Sequence, residues 1–122
     1  MNRVDLLGRL TKDPVLRRTE SGKDVVTFSV ACNRGKDREA DFVPCVAWDQ
    51  IGRTIYESFR KGRRIFVSGR FASRKSKTAT GEDRYFYECV VNFFEYVDSS
   101  PDQKPKGDAL EDLSPIDDVL PF

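Results

Sequence analysis

The stretch DFVPCVAWDQIGRTIYESFRKGRRIFVSGRFAS, residues 41–73, decides the fold. Asp41–Asp49 alternates as a strand does. Val43, Cys45 and Ala47 fall on one face, and Phe42 and Trp48 fall on the other. Gln50–Arg60 then changes period. Ile51, Ile55 and Phe59 form the inward stripe of an amphipathic helix, and Gly62 follows as a stop signal. Arg63–Ser73 returns to the strand period, with Ile65, Val67 and Phe71 on one face. Arg64, Phe66, Arg70 and Arg74 take the other.

Outward from this stretch the chain reads as strands. Asn2–Leu10 is the first. Lys12–Asp24, with Pro14 and Ser21-Gly22, is a connection. Val25–Asn33 alternates, with Val26, Phe28, Val30 and Cys32 on one face. Arg34–Ala40 is a charged loop, Lys75–Asp83 a polar one, and Arg84–Val97 a long last strand. Five strands with one helix between the third and fourth is the order of an OB barrel, so the expected class is all-β. Residues 1–97 form that domain. From residue 98 the composition turns to Ser, Pro, Asp, Gln, Lys and Gly, which cannot bury enough apolar surface to offset ordering. We read 98–116 as a disordered, flexible linker with a root-mean-square reach on the order of 25 Å, and 117–122 as an acidic tip.

The net charge of +1 hides two opposite regions. Residues 1–97 hold 19 Lys/Arg and 13 Asp/Glu, a net of +6, whereas 98–122 hold 2 Lys and 7 Asp/Glu, a net of −5. A basic body suggests a polyanion ligand, and an acidic tail a separate role. The three cysteines, Cys32, Cys45 and Cys89, lack CxxC spacing and the chain has no histidine. No metal or cofactor is therefore expected, and Ser-His and Cys-His catalysis are excluded. Asp5 and Arg9 interrupt any apolar signal core, so the expected location is the cytoplasm, at the nucleoid if the ligand is DNA.

Single strands are held by basic grooves and by aromatic rings on which bases stack. Phe42 and Trp48, opposite a good core face, suit a stacking platform or a packing site under a loop, and the pattern does not separate the two. Arg64, Arg70 and Arg74, with Lys75 beyond, suit a phosphate track or a solvated edge. In the last strand, Tyr85, Tyr87, Cys89, Val91 and Phe93 share one face, and Phe86, Glu88, Val90, Asn92 and Phe94 the other. None of these is assigned to a ligand.

At these residues the chain resembles the bacterial single-stranded DNA-binding proteins. Met1-Asn2-Arg3-Val4, Gly8 through Pro14, Leu16-Arg17 and Ser21-Gly22 resemble the family's opening. Glu39 to Phe42 with Cys45-Val46 and Trp48, Lys61-Gly62, Val67, Gly69-Arg70, Glu88 and Val90-Val91 continue it in order. The resemblance implies an OB fold, commonly a homotetramer, that wraps single-stranded DNA without sequence preference and has no catalytic activity. It implies base stacking at Phe42 and Trp48, and phosphate contacts at Arg3, Arg17, Lys61, Arg74 and Lys75. Ser76 replaces a common aromatic, Arg18 a common tyrosine, and the loop 34–40 is short and lacks an aromatic. Two stacking positions are thus missing, which predicts weaker binding per site and a steeper salt dependence.

The chain stops at Asp117-Asp118-Val119-Leu120-Pro121-Phe122, which resembles the family's acidic tip, with Leu120 in place of an isoleucine. Phe122 joins an apolar anchor to a carboxylate, so a partner needs an apolar pocket rimmed by Arg or Lys. Pro121 lowers the ordering cost, and Asp117 and Asp118 add steering. The resemblance implies DNA-maintenance proteins of replication, recombination and repair as partners. Two other readings stand against the DNA binder. One is an OB module for RNA or a primosome complex, which would not need such a tip. The other is a nuclease, which needs clustered carboxylates, whereas Asp41, Asp49, Glu57 and Glu88 are scattered.

Overall fold

The computed structural model describes residues 1–35 and 39–98. Residues 36–38 of the charged loop, the linker from residue 99 and the tip 117–122 lie outside the described residues. The elements are β1 (Val4–Leu10), β2 (Val15–Arg18), β3 (Asp24–Asn33), β4 (Ala40–Trp48), α1 (Asp49–Ser58), β5 (Arg64–Lys77) and β6 (Asp83–Tyr96). The sheet order is β1-β5-β6-β4-β3-β2, and β1 also pairs with β3. Five strands therefore close into a ring, β1-β5-β6-β4-β3 and back to β1. This is the expected all-β OB barrel, with its helix between β4 and β5. All pairings are antiparallel except β4 with β6.

Alternation fills the barrel. Val26, Phe28 and Val30 of β3 point inward and are buried, as are Cys45 and Ala47 of β4 and Ile65 and Val67 of β5. The helix contributes Ile55, and the residue that caps its C-terminus, Phe59, follows; both are fully buried. Phe59 stacks on Tyr96 with centroids 5.1 Å apart and meets Phe94 edge-on at 5.8 Å. Cys45 and Cys89 are Cα partners across the parallel pair. The hydrogen bond between these thiols, together with burial, pushes Cys45 well above the usual thiol range, so it behaves as a small core residue. Among the described residues no helix is long and apolar enough to cross a membrane.

Closure brings backbones very close. A Cβ at Gly8 would strike the Ala31 carbonyl, where β1 meets β3, and a Cβ at Gly69 would strike the Val90 carbonyl. Asp49 starts the helix with φ of 51°, a left-handed conformation that Asp tolerates and that turns the chain sharply after Trp48.

The structure differs from the sequence reading in four places. The connection Lys12–Asp24 contains the short strand β2, an edge strand on β3. Its Arg18 bonds Asp24 at 2.9 Å, and Arg53 of the helix bonds the other Asp24 oxygen at 2.8 Å. This ion-pair clamp joins β2, β3 and α1, and no apolar pattern announces it. Second, the loop between the last two strands is shorter than expected. β5 and β6 stay paired out to Lys77 and Asp83 as a two-stranded ribbon beyond the barrel.

Third, Phe71, expected on the face of Ile65 and Val67, is exposed although its partner Cys89 is buried, at the point where β5 and β6 begin to leave the barrel as a ribbon. Fourth, Phe93 does not share the face of Cys89 and Val91. Gly69 pairs with Val91 and Ser68 with Phe93, so Asn92 is an extra residue that reverses the alternation. Phe93 is exposed, and Phe94 packs on the core instead.

Candidate nucleic-acid interface

The outer wall of the barrel is read from the strand registers, because Cα partners point to the same side of a sheet. On β4 the outward residues are Phe42, Pro44, Val46 and Trp48. Phe42 is 66% exposed and Trp48 40%. They are open platforms, and neither packs under a loop. At ~3.3 Å per residue the two rings stand about 20 Å apart along the strand, as separate platforms.

Two arginines flank these rings by register. Trp48 pairs with Val25, and Val25 with Arg17 of β2. Phe42 pairs with Ala31, and Ala31 with Arg9 of β1. Each cation thus lies two strands from a ring, about 10 Å away, on the same face. On the other side of β4, Val46 pairs with Val90 of β6, and Val90 with Arg70 of β5. One outward surface therefore runs from β2 to β5.

The basic residues singled out from sequence do not all lie together. Arg17 and Arg74 are on this outer surface. Lys75 is not, since it alternates to the opposite face of the ribbon, opposite Tyr85, and pairs with Asp83 at 3.7 Å. Arg3 precedes β1, is exposed, and bonds Asp5 at 3.2 Å. Its neighbour Asn2 is fastened to the backbone of Phe71 by two hydrogen bonds of 2.8 Å. Lys61 sits at the helix end of the barrel, where its amide donates to Asp13 at 2.8 Å. Gly62 beside it accepts from Arg9 at 2.8 Å, so Lys61 and Arg9 adjoin.

Arg64 is not part of a phosphate track. It is three-quarters buried and bonds Asp98 at 2.7 Å, closing the end of the barrel. Arg18 is likewise committed to Asp24.

The sequence reading missed Arg9, whose place beside Phe42 depends on barrel closure. It also left the aromatic rings of the ribbon unassigned. On one ribbon face Phe71 and Tyr87 stack in parallel at 5.6 Å, with Tyr85 beyond. On the other, Phe86 lies under Arg74 at 4.9 Å and Arg84 at 5.9 Å. Among the described residues no group of three His, Cys, Asp or Glu stands close enough to hold a metal.

The profile of the Single-strand binding protein family matches residues 1–97. The chain belongs to this family. It is 44% identical over 101 residues to the single-stranded DNA-binding protein of Clostridium perfringens (strain 13 / Type A), covering 81% of this chain and 67% of the relative. It is 40% identical over 112 residues to that of Enterococcus faecalis (strain ATCC 700802 / V583), covering 88% and 60%. It is 35% identical to single-stranded DNA-binding protein 4 of Streptococcus agalactiae serotype V (strain ATCC BAA-611 / 2603 V/R), across 100% of this chain and 99% of the relative. The chain thus spans 60% to 67% of the first two relatives and nearly all of the third.

Proposed function

We propose that this chain binds single-stranded DNA without sequence preference, by stacking bases on Phe42 and Trp48 and holding phosphates with its basic residues. The observation that carries the reading is the outer face of β4, where two exposed rings stand in register with Arg17 and Arg9. Stacking tolerates any base, and phosphate contacts carry no sequence information. Arg17, Arg74 and Arg9 serve this face directly. Arg3, Lys61 and Lys75 serve a strand that continues around the barrel. Binding and protection of the strand, and not chemistry on it, is the role this surface supports.

Two further parts belong to the proposal. Leu7 and Phe66 are Cα partners on the outer wall, and Phe93 meets Phe66 edge-on at 6.5 Å. This apolar patch is suited to association of subunits into a homotetramer, which gives Phe66 a place at the interface. Residues 117–122 recruit DNA-maintenance proteins through Phe122 and the preceding acids.

Trp48 is the one tryptophan, so its fluorescence tests the reading directly. Titration with poly(dT) at low and high salt is expected to quench it, saturating at a fixed number of nucleotides per subunit. Binding without quenching would remove Trp48 from the interface, and no binding at any salt would remove the function. Deleting 117–122 should abolish capture of DNA-maintenance proteins and leave quenching in place.

A further inference from the structure

We infer that Phe86, with the guanidiniums of Arg74 and Arg84 close to its ring on the outer face of the β5–β6 ribbon, is a third base-stacking platform; this rests on the DNA-binding reading of the β4 face. The ribbon lies beyond the barrel, so its aromatics have no core to enter. Phe86 is 39% exposed. Its surroundings differ from those of the ring pair on the other ribbon face. Phe71 and Tyr87 lie 4° from parallel and each gives one ring face to the other, although both rings remain exposed. Among the described residues Phe86 has no ring partner; two guanidiniums approach it instead.

That arrangement concentrates positive charge. Arg74 is the Cα partner of Phe86, and Arg84 that of Ser76. Glu88 approaches Arg74 at 3.6 Å, while among the described residues Arg84 forms no ion pair. Two cations around an exposed ring are the elements a nucleotide needs, a π-face for the base and positive charge for its phosphate.

Register ties the root of the ribbon to the outer side of β4. Val46 and Val90 are partners in the parallel pair and take the outward side by alternation, with Val46 buried there. Phe42 and Phe86 precede them by the same number of residues. The pairing of β4 with β6 is confined to Cys45/Cys89 and Val46/Val90, and beyond it β6 continues with β5 alone into the ribbon. Ser76, where the resemblance expects an aromatic, lies on the same ribbon face as Phe86, opposite Arg84 and one alternate step from Arg74.

The test uses the full chain. In the double variant W48F/F86W the single tryptophan reports on the ribbon, while the anisotropy of labelled oligo(dT) reports binding. Quenching that saturates together with the anisotropy is expected. Binding with unchanged tryptophan emission would overturn the inference and leave the DNA-binding reading standing. Absence of binding by the unsubstituted chain would overturn that reading itself. In the natural background F86L should weaken oligo(dT) binding about tenfold. The salt slope should not change, since no charge is removed, and F86Y should restore affinity. Unchanged affinity in F86L, or a shallower slope showing that the ring only positions Arg74 and Arg84, would each overturn it.

Discussion

The barrel and the ribbon are built from the same two strands, yet they use their aromatics oppositely. Inside the barrel, β5 and β6 have one covered face, and Phe94 and Tyr96 pack around Phe59 at the end of the helix. Past Cys89 of β6 both faces meet solvent, and Tyr85, Phe86 and Tyr87 are all exposed, as is Phe71 opposite Cys89. A ring in a strand is ambiguous while an interior exists for it to fill. Where the interior ends, burial no longer explains it, and contact with a partner or ligand becomes the leading account. The wall of β4 is intermediate: its inner face is core, and its outer rings stand free.

The sharpest way to break this contrast is to measure stability on both sides of it. Phe59→Ala should destabilise the protein by about 3–5 kcal/mol in urea unfolding, as truncation of a fully buried ring does. Phe86→Leu should shift the same curve by less than about 0.5 kcal/mol. Equal costs would mean the ribbon is packed like the barrel. Gly69→Ala sits at the boundary. Its added methyl meets the Val90 carbonyl, and a loss of about 1–3 kcal/mol is expected in the same assay.

On the outer wall the effects move from stability to binding. Phe42→Ala and Trp48→Ala should each weaken oligo(dT) binding by about 1–3 kcal/mol, read by anisotropy, with little change in melting temperature. Arg17→Gln should reduce the slope of log K against log salt by about 0.7, one phosphate contact on a single strand. Arg64→Gln should leave that slope alone and lower stability instead, because its partner is Asp98.

The smallest effect is a pH dependence. Hydrogen bonds from Arg53 and then Arg18 hold the Asp24 carboxyl below the usual carboxylate range. A depressed folded value means the clamp is fully effective above the unfolded value of about 3.9. Its contribution fades as pH falls from there through the folded value. Acid unfolding followed by circular dichroism should therefore show Arg53→Gln to be less stable than the parent near neutrality. The two curves should converge below about pH 4.

The sequence by itself determined the class of fold, the helix that closes the barrel and the outward placement of Phe42 and Trp48. These depend on period, and period is a local property of strand and helix geometry. The opposite charges of body and tail were equally legible. Tertiary structure decided what depends on pairing. Which arginines flank the rings follows from the registers of β2 and β1 with β3. Which arginines are spent on structure follows from Asp24 and Asp98, each distant in sequence from a cation it binds. The exposure of Phe71 and Phe93 follows from where β5 and β6 leave the barrel and from one extra residue at Asn92. Alternation reports which side of a strand a residue takes, but only the closed sheet decides whether that side faces core, solvent or a neighbouring charge.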